Sequence, residues 1–231
     1  MLDQKQVLYI LKSLGAILDG HFVYTSGKHG DKYINKDALY PHTAKTSLLC
    51  RSLAKHFAID GVEAVLSPAV GSVIISQWTA YHLYSMTSRE VLSLYADRTS
   101  DDQFILKRGY DSLIRGKRVL VGEDLTTTGG SVRKVVEVAR AAGGIVIGAG
   151  TLCNRGEVTA ADVGVVPKFV ALADIKMNAW SPAECPLCAK GIPITEGVGH
   201  GSEYLAGQAA TRENRAAHGN ELPDLALFGA R

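Results

Sequence analysis

The segment Val119-Leu120-Val121-Gly122-Glu123-Asp124-Leu125-Thr126-Thr127-Thr128-Gly129-Gly130-Ser131 limits the possible folds more than any other part of the chain. It opens on an apolar, β-branched run that predicts a buried strand. Two adjacent carboxylates follow, then a turn rich in hydroxyls and glycine, then a helical stripe of Val132, Val135, Val136 and Ala139. Strand, turn and helix in that order build parallel sheets with helices on their faces. Ligands of such open sheets bind at the carboxyl ends of the strands, where this turn lies.

The flanking sequence repeats the alternation. Strands are predicted over 63–66, 91–95 and 145–152, and a helix over 73–83. Leu49, Leu53 and Phe57 mark another helix, ended by Asp60-Gly61. Val7, Ile10, Leu11, Leu14 and Leu18 recur at helical spacing, so the first twenty residues are expected to form one helix ending at Gly20. Residues 21–37 break that period and read as a loop leading into a short strand. The fold class is therefore α/β, a central, mostly parallel sheet flanked by helices. One domain is expected over 1–200. The Ala/Gly/Asn/Glu-rich stretch 201–231 is expected to be a mobile tail with a helix near Glu203–Gln208.

Bulk composition narrows the partners. Hydrophobic residues make up 46% of 231 residues and charged ones 21%, which supports a core without disulfides. The net charge of +2 is uninformative, but no Lys/Arg block points to a nucleic-acid partner. No apolar run reaches the roughly 18 residues of a membrane span, and the start does not resemble a secretory signal. Four scattered cysteines form no disulfide framework, so a reducing, cytoplasmic setting is expected.

The turn after the acidic pair offers backbone N–H groups and threonine hydroxyls beside a helix N-terminus, a natural seat for a phosphate. Carboxylates beside a phosphate would repel it unless they bind something else, such as sugar hydroxyls. The segment lacks both a Walker A lysine and GxGxxG spacing. It resembles the signature of the type I phosphoribosyltransferases, which use 5-phosphoribosyl-1-diphosphate (PRPP). That resemblance implies that Glu123 and Asp124 hold the ribose. It also implies that Thr126, Thr127, Thr128, Gly129, Gly130 and Ser131 hold the 5-phosphate.

Other segments resemble the orotate phosphoribosyltransferases within that group. Thr25-Ser26-Gly27-Lys28-His29-Gly30-Asp31-Lys32-Tyr33-Ile34-Asn35 is similar to their base-binding segment, which implies Lys28, Tyr33 and Ile34, with Thr128, at the substrate. Leu152-Cys153-Asn154-Arg155-Gly156 places Arg155 at a strand end, where a guanidinium fork suits the orotate carboxylate. Pro68-Ala69-Val70-Gly71-Ser72 resembles the pyrophosphate loop, implying Ala69, Val70 and Gly71 at the leaving group. Residues 96–110 resemble a lid with Arg98 on one shoulder and Lys107 and Arg108 on the return strand. The resemblance makes these three cations, with Asp124, the catalytic set. Asp97-Arg98 replaces the more usual Glu-Lys, and no histidine lies between 97 and 110. Arginine keeps the charge but does not readily give up a proton.

The family implies PRPP and orotate as substrates and a homodimer whose subunits share the lid. It further implies a small hood of N- and C-terminal segments, and Mg²⁺ carried mainly by PRPP without a direct protein ligand. The activity implied is displacement of pyrophosphate at the anomeric carbon. A non-catalytic PRPP-binding regulator, or a transferase for another base, would share the phosphate loop. Cys185-Pro186-Leu187-Cys188 is half of a zinc site. Cys50, Cys153 or histidines such as His200 would have to complete it, so the two are expected to be thiols on a turn.

Overall fold

A computed structural model describes residues 1–218; positions 219–231 lie outside the described residues, and the expectation of a mobile tail there with them. The elements run α1 (Gln4–Ser13), β1 (Ile17–Val23), β2 (His29–Ile34), α2 (Thr43–Phe57) and β3 (Ala64–Pro68). Next come α3 (Val73–Thr87), β4 (Leu92–Arg98), β5 (Phe104–Ile105), α4 (Tyr110–Ile114) and β6 (Arg118–Thr126). The chain continues through α5 (Gly130–Ala141), β7 (Ile145–Asn154), β8 (Phe169–Asp174), α6 (Pro186–Ala189) and α7 (Gly201–His218). The chain divides into two compact units, residues 1–18 with 34–177, and residues 19–33 with 178 onward. The second unit thus joins an N-terminal segment to a C-terminal one.

In the first unit six strands pair in the order β5-β4-β3-β6-β7-β8. All pairings from β4 to β8 are parallel, and β5 alone runs antiparallel, folded back on β4. β3 is buried along its whole length, as expected of a central strand covered on both faces. Connections from β3 lead to β4 on one side, and those from β6 lead to β7 on the other. The sheet's switch point therefore falls between β3 and β6, the position at which open α/β sheets bind their ligands.

Each face has its own core. Val7, Leu49, Leu53, Phe57, Ile75 and Leu83, from α1, α2 and α3, pack with Leu120 and Leu152 of the sheet. On the other face Val132, Val135 and Val136 of α5 pack with Val119, Val121 and Ala149. Gly150 on β7 is what lets α2 approach: a Cβ there would lie 2.7 Å from Leu53 Cδ1.

Several expectations need correction. The first helix ends at Ser13, because Gly15 takes the left-handed conformation (φ 70°) and turns the chain into β1. Leu14 and Leu18 merely continue a helical spacing by chance. Residues 21–37 contain the expected short strand, β2, but their first three residues end a further strand, β1, that pairs with it. Lys107 and Arg108 lie beyond β5, in the turn before α4, rather than on a return strand. The helix expected near Glu203–Gln208 starts at Gly201 and extends to His218.

The second unit is tied together along its backbone. His29 and Trp180 exchange N–H···O bonds of 2.8 Å each way, Thr195 N donates to His21 O at 2.7 Å, and His200 N donates to Val23 O at 2.9 Å. Cys185 and Cys188 meet His21 and His29 here. They do not meet Cys50, Cys153 or His200: Cys50 and Cys153 belong to the first unit's core, and His200 bonds Glu203 and Thr25.

Leu53 is fully buried between α2 and the sheet. Truncating it to alanine should cost about 2–5 kcal/mol, read as a lower urea midpoint with an unchanged slope. A loss within about 0.5 kcal/mol, the range typical of surface sites, would contradict this packing.

Candidate active site

The acidic pair sits within β6, two residues from its end. Successive side chains on a strand point to opposite faces, so the two carboxylates do not share a surroundings. Asp124 follows Leu120 onto the α2–α3 face, and Glu123 follows Val119 and Val121 onto the α5 face. Both are more deeply covered than a ligand-facing pair would be expected to be, at 6% exposed for Glu123 and 4% for Asp124.

Buried charge must be matched by partners, and each carboxylate has them. Lys36 Nζ lies 3.2 Å from Asp124 Oδ2, and the Tyr40 hydroxyl donates to the same oxygen. The Ser72 hydroxyl donates to Glu123 Oε1 and accepts from Asp124 N at 3.2 Å. Burial, reinforced by the neighbouring Asp124 charge, pushes the Glu123 carboxyl's pKa upward. Burial would lower Lys36, but the combined attraction of Asp124, Glu123 and Asp37 leaves the ammonium's pKa raised. Burial and Asp124 likewise raise Tyr40, which stays a donor. Lys36, Tyr40 and Ser72 were not singled out in the sequence. Their partners lie 51 to 84 residues away for Ser72 and Tyr40, a separation no local pattern reports.

Beside this pair lies the phosphate-loop segment. Residues Thr126–Ser131, with Glu123, line a cavity of about 110 Å³. Gly129 is the N-cap of α5 at φ 76°, and no side chain caps the helix start. A Cβ on Gly129 would come within 3.1 Å of Asp162 O, Val158 and Val163. Glycine is thus required twice over, by backbone conformation and by close approach. An uncapped helix N-terminus at the floor of a small polar cavity suits a phosphate dianion.

Arg155 closes the next side. Its backbone N donates to Thr126 O at 2.9 Å, and its Nε donates to Thr127 Oγ1 at 2.6 Å. The same residue lines a larger cavity of about 500 Å³ with Glu157, Asp174, Ile175, Lys176 and Met177. Asn154, also missed in the sequence, organises this corner. Its Nδ2 donates to Asp174 Oδ1 at 2.9 Å and to Val158 O at 3.2 Å, while its Oδ1 accepts from Val158 N at 3.1 Å.

The Pro68–Ser72 loop leaves β3 opposite. The Ala69–Val70 peptide is cis, Val70 is exposed, and Gly71 lies against Tyr40 and Asp124 Oδ2. The β4–β5 hairpin bends over the phosphate loop: Arg98 Nη2 reaches Ser131 Oγ at 3.4 Å and Nη1 pairs with Asp102 at 3.1 Å. Lys134 of α5, another residue unmarked in the sequence, holds Asp102 at 2.6 Å. Arg108 is turned back on Asp97 at 2.6 Å and over the Tyr95 ring, and Lys107 is exposed. The first unit thus brings together Gly71, Ser72, Glu123–Ser131, Arg98 and Arg155, but not Lys107 or Arg108. Ile34 packs on the first unit's core. Lys28 and Tyr33 belong to the second unit, where Lys28 is exposed and the Tyr33 ring lies 5.6 Å from that of Phe22.

No family model matches the chain. It is 40% identical over 195 residues to the orotate phosphoribosyltransferase of Pelotomaculum thermopropionicum, covering 84% of this chain and 97% of that one. The chain belongs to the orotate phosphoribosyltransferase family. The Chlorobium phaeobacteroides member of that family is 35% identical over 193 residues, covering 84% and 94%. Among solved structures, orotate phosphoribosyltransferase from Aeropyrum pernix superposes with a TM-score of 0.51 at 25% identity, over 73% of this chain and 93% of that one. The Mycobacterium tuberculosis enzyme gives 0.60 at 19% identity, over 75% and 97%, a likeness of fold. The type I phosphoribosyltransferase architecture expected from the sequence is therefore the one observed.

Gly129→Ala tests the phosphate loop of this orotate phosphoribosyltransferase-family chain. The left-handed conformation alone should cost about 1–2 kcal/mol of stability, and inorganic phosphate binding followed by ³¹P NMR should weaken severalfold. Undiminished phosphate binding would contradict the cradle.

Proposed function

We propose that the chain transfers the 5-phosphoribosyl group of PRPP to N1 of orotate, giving orotidine 5′-monophosphate and pyrophosphate in pyrimidine biosynthesis. The reading rests on one observation: a buried carboxylate pair, an uncapped helix N-terminus and Arg155 converge at a single sheet edge. The helix start suits the 5-phosphate, and the carboxylates suit the ribose hydroxyls as hydrogen-bond acceptors. Arg155, lining the 500 Å³ cavity, offers a fork for the carboxylate that distinguishes orotate from uracil.

The bond from the anomeric carbon to the pyrophosphate oxygen breaks as the bond to orotate N1 forms on the opposite face. Positive character develops on the ribose and negative charge on the leaving group. Arg98, already reaching Ser131, is placed to neutralise the latter once the lid closes. In this reading Arg108 must exchange Asp97 for the leaving group, and Lys107 acts from the exposed base of the lid. The family resemblance further assigns Lys28, Tyr33 and Ile34 to the base.

Mg²⁺ would stabilise the pyrophosphate when bound. The donor set fits a metal that arrives on PRPP oxygens: Asp124 Oδ2 is occupied by Lys36 and Tyr40, and Glu123 Oε1 by Ser72. Neither side chain offers the open carboxylate cage of a protein-held cation. We extend the proposal to a homodimer sharing the lid and to a cytoplasmic location. Among the described residues no helix is long and apolar enough to cross a membrane.

Orotate-dependent pyrophosphate release from PRPP and Mg²⁺ is the direct assay. Asp124→Asn should lower kcat on the order of 100-fold or more. Arg155→Ala should raise the orotate KM on the order of 10–100-fold, the cost of a charge-assisted contact, with PRPP KM little changed. PRPP binding without turnover would favour a regulator, and turnover with another base would reassign the acceptor.

A further inference from the structure

We propose that His21, His29, Cys185 and Cys188 bind one zinc ion in a tetrahedral N₂S₂ site that holds the second unit together. One ligand atom from each of the four residues lies within 4.8 Å of every other. His21 comes from β1, His29 from β2, and the cysteines flank the start of α6, so three separate stretches of chain meet at one point.

Four of the six pairwise distances lie at, or a few tenths of an ångström inside, a tetrahedron's edges. Zn–S bonds of about 2.3 Å and Zn–N bonds of about 2.05 Å place nitrogen and sulfur about 3.6 Å apart, and two nitrogens about 3.3 Å apart. His21 Nε2 lies 3.5 Å from Cys185 Sγ and 3.6 Å from Cys188 Sγ. Cys188 Sγ lies 3.2 Å from His29 Nδ1, and the two ring nitrogens are 2.9 Å apart. A shift of a few tenths of an ångström would seat an ion at the centre.

Direct hydrogen bonding explains the cluster poorly. His21 Nδ1 lies 2.8 Å from Ile192 O, which accepts its proton and leaves Nε2 with a lone pair facing inward. His29 Nδ1, Cys185 Sγ and Cys188 Sγ all converge on that lone pair, which can accept well from only one of them. A cation accepts all four lone pairs. The contact to Ile192 O then fixes ring orientation as outer-shell contacts to ligating histidines do. Two imidazoles and two thiolates in this geometry select zinc over hard, oxygen-seeking cations.

A second observation says why the unit needs an ion. No residue of 19–33 or from 178 on appears in either hydrophobic core. Among the described residues its buried hydrophobics are Phe22, Val23 and Cys185. So small an apolar interior calls for a cross-link, and a structural metal is one of the few available. Cys185 and Cys188 are free thiols rather than a disulfide.

The full chain, purified under reducing conditions without chelator, should carry about one zinc per chain by elemental analysis, the stoichiometry of a closed four-ligand site. Blocking thiols with a mercurial should release it. Replacement with Co²⁺ should give the intense visible bands and sulfur-to-cobalt charge transfer of a tetrahedral thiolate site. Cys185→Ser with Cys188→Ser should abolish both signals and lower Tm by about 5 °C or more, whereas Cys50→Ala should leave the metal content intact. If the double variant fails to fold, the wild-type cobalt spectrum still decides. Wild-type protein without bound zinc and without cobalt bands, or with a Cys185–Cys188 disulfide under reductant, would overturn the proposal.

Discussion

Asp124 is a carboxylate held almost wholly out of water, and an isolated charge in that position would be intolerable. Lys36 and the Tyr40 hydroxyl make it possible, both gathered on one oxygen. This requirement fixes much around it. The segment after β2 must return Lys36 and Tyr40 to the end of β6, and Gly71 must stay small enough to leave room for them. Ser72, at the start of α3, must reach Glu123 from the neighbouring strand's end. The loops after β3 and β6 are thereby braced against each other across the sheet's switch point.

That bracing leaves its neighbours polar but rigid. The phosphate-loop cavity has a glycine floor and an uncapped helix start, and Arg155 is locked to the loop by its backbone and by Thr127. Asn154 fixes the corner where β7 ends and β8 passes. The lid is fastened less firmly, through exposed contacts of Arg98 and Lys134 with Asp102. Exposed ion pairs contribute little each, which would suit the partner exchange proposed for this segment.

The layers of the first unit were legible because their signals are local. Val119–Val121 and Val132–Ala139 announce a strand and a helix by periodicity alone, and the turn between them announces an anion seat. What could not be read depends on distance in sequence. Lys36 and Tyr40 look like ordinary residues until β6 is brought beside them. The β1–β2 pair was hidden because Leu14 and Leu18 preserve a helical spacing across Gly15, whose left-handed turn is set by the fold. His21 and His29, eight positions apart on paired strands, match no metal-ligand spacing, so the sequence offers Cys185 and Cys188 no evident partners. Arg98 lies against Ser131, whereas Arg108 is drawn off by Asp97, a pairing that no local pattern foretells.

The central claim is that the end of β6 and the start of α5 together hold a phosphorylated sugar. A crystal structure with PRPP bound tests it most directly. The account predicts the 5-phosphate on the backbone N–H groups at the start of α5, with the ribose hydroxyls donating to Glu123 and Asp124. A PRPP molecule seated elsewhere, with Tyr40 and Lys36 still closing off Asp124 and the Thr127–Ser131 turn empty, would contradict it.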